Sequence, residues 1–179
     1  MEKGHLKHLI NLDASLAEAT HEYYKKAGIT YAEVPEIVGI TGACENVDTL
    51  FRIGNRLGLP LFMTQTGQLA LEQILEHFPG VYTIIHSGRD EEIEDERHLR
   101  QFRLTEEEFE WSLVGNLGET YDEEKMYEAL LAHIENAVRY IAQKTIADNT
   151  EILSTYYKRD TGNLMESLQL PFLRISYEE

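Results

Sequence analysis

The chain has 179 residues, 42% of them hydrophobic and 27% charged, which suits one soluble domain with a real core. No window approaches the ~20 apolar residues of a membrane span, and the first residues lack an apolar signal core, so the expected compartment is the cytoplasm. A formal charge of −16, from 32 Asp+Glu against 16 Lys+Arg, opposes binding to phosphate backbones, and a single cysteine, Cys44, excludes an internal disulfide.

Along the chain, apolar residues at Leu6, Leu9, Ile10, Leu16, Ala17, Tyr23 and Tyr24 recur near the helical period, and Gly28 follows as a stop. Ile29–Val34 alternates like a strand and ends at Pro35. Thr49–Ile53 and Leu61–Thr64 read as short strands joined by a Gly- and Pro-punctuated hairpin loop. A helix is predicted from Gly67 to about Phe78, then a buried strand over Val81–His86, then a long strand between His98 and Trp111. Thr120-x-x-Glu123 has the spacing of a capping box and opens a helix that runs to Asp148-Asn149. Thr150–Tyr157 reads as the start of another helix. Lys158–Glu166 is polar and without regular pattern, and Leu170–Tyr177 reads as the beginning of a strand. This order predicts an α+β fold, an antiparallel sheet flanked by helices, with residues 1–179 forming a single domain.

Three blocks in the middle of the chain carry more than periodicity. They are Ile40–Phe51 (ITGACENVDTLF), Leu61–Glu72 (LFMTQTGQLALE), and Gly88–Glu91 with Arg97–Phe102 (GRDE…RHLRQF). In order and spacing they resemble the class II aminoacyl-tRNA synthetases of the asparaginyl/aspartyl type, a group that includes synthetase-like asparagine synthetases. The helix leading into Tyr31-Ala32-Glu33-Val34-Pro35 is similar to motif 1, and Pro171–Tyr177 to the segment after the family's central insertion.

The resemblance implies a partial class II catalytic domain with motifs 1 and 2, no anticodon-binding barrel and no motif 3, that uses ATP and magnesium. Such a site needs a fixed cation where a carboxylate attacks the α-phosphate. By resemblance Arg89 is that catalytic cation and also binds ATP, Glu91 contacts the adenine side, His98 the distal phosphates, and Phe102 stacks on the ring. Glu45, Thr66, Gln68 and Glu106 fall where the amino-acid substrate, aspartate or asparagine, would bind. Glu106 and Glu108 alternate along a strand and so share a face, which makes Glu108 a candidate magnesium ligand.

Two departures matter. The motif 2 loop, Asp90–Glu96, is strongly acidic, and Gln101 stands where the family has a glutamate. With the acidic composition and the absent barrel, they shift the expectation from tRNA charging to a ligase that forms an aspartyl or asparaginyl adenylate for a small acceptor. Its expected partners are a second copy through motif 1 or a subunit bearing motif 3, with nucleic acid disfavoured. The competing reading is a non-catalytic paralogue that binds the amino acid or dimerises as a regulatory subunit.

Overall fold

A computed structural model describes residues 4–42, 46–93, 95, 98–113 and 122–176. The chain divides into two compact units, residues 27–113 and residues 1–26 with 114–179. No helix among the described residues is long and apolar enough to cross a membrane.

In the unit of residues 27–113, β1 (Thr30–Tyr31) pairs in parallel with β5 (Gly80–Gly88), and β5 pairs antiparallel with β6 (Gln101–Phe109). A second sheet orders β2 (Ile37–Val38), β4 (Leu61–Met63) and β3 (Arg52–Ile53), all antiparallel. Helix α2 (Gln68–Ile74) packs on β5 and β6. The expected antiparallel sheet is therefore present, with one parallel edge strand. That edge is short because Ala32 makes the last bond, donating N–H to the Tyr82 carbonyl at 2.8 Å, before Pro35 removes a donor.

The sequence GVYTIIHSG makes β5 the spine of this unit. Its β-branched and aromatic residues suit a pleated surface, and Val81, Tyr82 and Ile85 are buried on its two faces. Leu71 of α2 and Ile29 complete the apolar core. Removing the Leu71 side chain to alanine would cost about 2–5 kcal/mol by the usual cavity argument. Between β3 and β4, Asn55 organises the hairpin loop: its Oδ1 accepts from the Leu57 and Leu59 N–H groups, both at 3.1 Å. Gly58 there takes a left-handed φ of 66°.

In the other unit, α1 (His5–Ala27) ends at Gly28, whose φ of 76° suits a helix stop. Helix α3 (Glu123–Asp148) is joined to α1 by side chains: Lys26 donates to Tyr140 Oη at 2.6 Å, and the Tyr140 hydroxyl donates to Glu22 at 2.7 Å.

Several expectations change. Helix α2 is shorter than the predicted Gly67–Phe78, closing after Ile74 in a turn in which His77 donates to the Ile74 carbonyl. The cap of α3 is Asp122, which accepts from the Lys125 N–H at 3.1 Å, whereas Thr120 lies outside the described residues. Residues after α3 form a π-helical turn, Ile152–Tyr156. The polar stretch Lys158–Glu166 contains a helix, α4 (Thr161–Ser167), nucleated by Asp160, which accepts from the Asn163 N–H at 3.0 Å.

Residues 171–176 form no strand, and Tyr177 lies outside the described residues. Their backbone is tied to α3: Phe172 N–H donates to Glu135 at 3.2 Å, and Arg139 donates to the Leu170 carbonyl at 3.0 Å. Those bonds satisfy polar groups that a sheet would otherwise take. His5 bonds the Tyr156 hydroxyl at 3.2 Å, and the His8 ring sits 4.6 Å from the Tyr156 ring.

Candidate nucleotide and amino-acid site

The site is laid out along one face of the β5–β6 pair. Directly opposed residues of antiparallel strands point to the same side, and the register pairs Ser87 with Phe102, Ile85 with Leu104, Thr83 with Glu106 and Val81 with Glu108. Phe102, Glu106 and Glu108 therefore share a face, as the alternation predicted. Phe102 and Glu106 lie four residues apart, about 13 Å at ~3.3 Å per residue.

At the Phe102 end, Arg89 continues β5 past its last strand residue, its N–H donating to the Arg100 carbonyl at 3.0 Å. A cavity of about 310 Å³ here is lined by Arg89, Glu91, His98, Leu99 and Phe102. All four residues expected around ATP are thus brought together. Arg89 and Glu91 stand 3.8 Å apart, and more than half of the Arg89 side chain is exposed, so the cation is available to a ligand. His98 is held by Asp95, which accepts from its backbone N–H at 2.9 Å and from ring Nδ1 at 2.8 Å. Asp90, which stands where the resemblance calls for a small residue, pairs with Arg100 at 3.0 Å, and its N–H donates to the Thr49 carbonyl at 2.8 Å. It fastens the base of the loop.

Gly88 shows why the chain turns so tightly here. A Cβ at this position would fall 2.8 Å from the Arg100 carbonyl oxygen and 3.1 Å from both Met63 and Phe51. Only glycine lets the strand end pass this close.

At the other end, the turn before α2 closes over Glu106. Its Oε1 accepts from the Thr66 hydroxyl at 2.5 Å and its Oε2 from the Gly67 N–H at 2.6 Å. The Thr66 oxygen in turn accepts from the Gln68 N–H at 3.1 Å. Beneath them the Thr64 hydroxyl donates to the Thr66 carbonyl, and the Ser87 hydroxyl donates to the Thr64 carbonyl at 3.1 Å. Gln65 donates to the Thr49 carbonyl at 3.2 Å. Thr64, Gln65 and Ser87 are buried, so this polar frame is satisfied internally and stiff.

Thr66, Gln68 and Glu106 are thus adjacent, while Gln68 directs its side-chain amide to Glu72 at 2.8 Å on the exposed side. Glu45 lies outside the described residues, as does Cys44. The frame residues Thr64, Ser87 and Gly67 were not expected at the site. Thr64 and Gly67 lie in the T-x-T-G run of the second block, and nothing in the sequence marked Ser87.

Glu108 stands farther along the same face. It lies six residues along β6 from Phe102, about 20 Å, beyond Glu106 and away from the nucleotide cavity. Partial burial raises its pKa, and Glu72, Glu106 and Glu107 raise it further, so it holds a proton more readily than an ordinary glutamate. Among the described residues no group of three His, Cys, Asp or Glu is placed to hold a metal ion.

A larger cavity, about 560 Å³, is lined by Tyr31, Glu33, Val34, Pro35, Glu36 and His86, with Thr83, Ile84 and Ile85 at its floor. It contains none of the expected ligand residues.

Comparison with known proteins identifies the family. The family described as tRNA synthetases class II (D, K and N) matches residues 1–179. The chain is 30% identical over 171 residues to an asparagine–tRNA ligase of Koribacter versatilis, covering 96% of this chain and 35% of the relative. Against the corresponding ligase of Thermococcus kodakarensis the identity is 29%, with 96% and 36% covered. Among solved structures, asparaginyl-tRNA synthetase from Pyrococcus horikoshii complexed with asparaginyl-adenylate superposes with a TM-score of 0.78 at 26% identity, covering 96% of this chain and 36% of that one. The chain spans about a third of the length of these relatives. With the whole chain matched, the partial α+β domain seen here belongs to the class II tRNA synthetase family of the aspartate, lysine and asparagine enzymes.

Proposed function

We propose that this chain supplies the adenine, α-phosphate and amino-acid contacts of a site that forms an asparaginyl adenylate from asparagine and ATP. The observation that carries the reading is the single cavity that gathers Arg89, Glu91, His98 and Phe102, in line along one strand with the braced carboxylate of Glu106. In this reading the adenine lies against Phe102 and Glu91. Arg89 neutralises charge building on the α-phosphate as the substrate carboxylate attacks and pyrophosphate leaves. Glu106, with Thr66 and Gln68 beside it, faces the amino acid and accepts from its ammonium.

Asparagine is favoured over aspartate on two grounds. Glu72, Glu106 and Glu107 surround Glu108, which shares the face of Glu106, and a second substrate carboxylate would be repelled by these charges. The relatives named above are asparagine enzymes. Those names also weigh against the expected small acceptor in place of tRNA; the proposal therefore ends at the adenylate. Class II enzymes use magnesium in this step, and no step is assigned to the metal.

The reading is tested by calorimetric titration of the full chain with the sulfamoyl analogues of asparaginyl and aspartyl adenylate. The asparaginyl analogue should bind in preference, and Arg89→Ala should weaken it by at least about tenfold, the usual cost of a lost charged hydrogen bond. A chain that binds neither analogue would refute the assignment, and one that binds asparagine alone, with no gain from the adenylate moiety, would favour the regulatory amino-acid-binding paralogue.

A further inference from the structure

We infer that Asp95 is a positioning residue for the distal phosphates of ATP, acting through the ring of His98. This rests on the adenylate-forming reading above and extends it to a loop residue with no role of its own in that reading.

An ionised carboxylate only accepts hydrogen bonds, so the 2.8 Å contact between Asp95 and His98 Nδ1 places a proton on Nδ1. The same oxygen accepts from the His98 backbone N–H at 2.9 Å. One oxygen thus grips both the main chain and the ring of the residue three positions later, as Asp and Asn side chains do when they bond nearby backbone N–H groups. The paired short bridge between Asp95 and His98 adds to the constraint. With Nδ1 turned to Asp95, the ring's second nitrogen, Nε2, is the one left to meet a ligand in the cavity that His98 lines with Arg89 and Phe102.

The ring needs such a grip because it has little other support. Both partners are about half exposed, with side-chain accessibilities of 58% for His98 and 49% for Asp95, so packing alone does not fix the imidazole. A free ring would sample several rotamers, and ordering it on binding would oppose the phosphate contact. Asp95 removes that cost beforehand. Its role is one of orientation, and asparagine, whose amide oxygen can accept the same two bonds, should reproduce it.

The test is titration of the full chain, and of Asp95→Ala and Asp95→Asn, with ATP, AMP and the asparaginyl sulfamoyl adenylate. AMP and the adenylate analogue lack the distal phosphates and report only on the adenine, ribose and α-phosphate contacts. Asp95→Ala should weaken ATP about fivefold, the effect of one net hydrogen bond, and leave AMP and the analogue unchanged. Asp95→Asn should restore ATP binding to within about twofold of the native chain.

Equal ATP-to-AMP preference in all three proteins overturns the inference, as does a parallel loss of ATP, AMP and analogue in Asp95→Ala, which would mark a merely structural residue. Failure of the native chain to bind the analogue overturns the adenylate reading itself and this role with it. Analogue binding with an unaltered ATP-to-AMP ratio overturns only the role of Asp95.

Discussion

Replacing Glu106 by glutamine keeps the side chain's length and removes its charge. In the native chain one carboxylate oxygen accepts from Thr66 and the other from Gly67, so the group is held in place before any ligand arrives. Glutamine can still offer its carbonyl oxygen to the Gly67 N–H, and the Thr66 hydroxyl can rotate to accept from the amide. The turn therefore survives, and the loss should fall on the ligand. Glu106→Gln is expected to fold, to lose about 1 kcal/mol of stability or less in denaturant titration, and to weaken the adenylate analogue about tenfold or more. Unchanged binding would remove Glu106 from the ammonium subsite. At this scale the sequence was informative wherever a residue's chemistry matched its place in the resemblance: Arg89, Glu91, His98 and Phe102 do line one cavity. For Glu108 alternation settled the face of the strand, but not the distance along it at which a ligand ends.

Among the elements, the pairing of α1 with α3 is the most sensitive to acid. Hydrogen bonds from Lys26 and then Tyr140 lower the Glu22 pKa from 4.5 to about 2, helped by the charges of Lys26 and Lys144. A group depressed by folding stabilises the native state above its unfolded pKa and loses that contribution as pH falls through its folded one. The contribution of Glu22 is therefore complete above about pH 4.5 and disappears between there and about pH 2. Glu22→Gln should lower the melting temperature at neutral pH and narrow its gap to the native chain on acidification through that window, measured by thermal melts at stepped pH. A constant gap would show that the ion pair adds nothing.

Elements held by long periodic faces, such as α1, α3 and β5, could be read from the sequence because burial of one stripe or of two strand faces sets their pattern. The seven-residue α4 could not, since one Asp160 cap rather than an apolar stripe nucleates it. Residues 171–176 misled for a related reason. Their apolar pattern is strand-like, yet Glu135 and Arg139 of α3 take the backbone groups that a strand partner would need.

For the whole molecule, charge and exposed apolar surface pull in opposite directions. Tyr31, Ile37 and Ile40, on either side of Pro35, are all more than two-fifths exposed, a surface that supports the expected pairing with a second copy. Each copy also carries a formal charge of −16, and like charges on approaching subunits repel over a Debye length of about 10 Å at 0.1 M salt. Association should accordingly tighten as salt rises from ~10 mM to ~0.3 M, the reverse of an interface held by ion pairs. Sedimentation equilibrium across that range checks it; a monomer at every salt concentration would exclude the second copy.

The nine-residue pairing of β5 with β6 also determines where this protein can tolerate evolutionary length change. Residues added to the loop between Arg89 and Gln101 leave every opposed pair in step, so Phe102 and Glu106 still face the same side. One residue inserted inside β6, between Leu104 and Thr105, would act like a frameshift at the level of shape. Phe102 would keep its place, the former Thr105 would stand where Glu106 does, and Glu106 itself would turn to the opposite face. Relatives that keep this chemistry should therefore change length in the loop only where Glu91 and the Asp95–His98 pair keep their places, and not at all within the strand, which makes the spacing between the aromatic and the carboxylate a stricter signature than either residue alone.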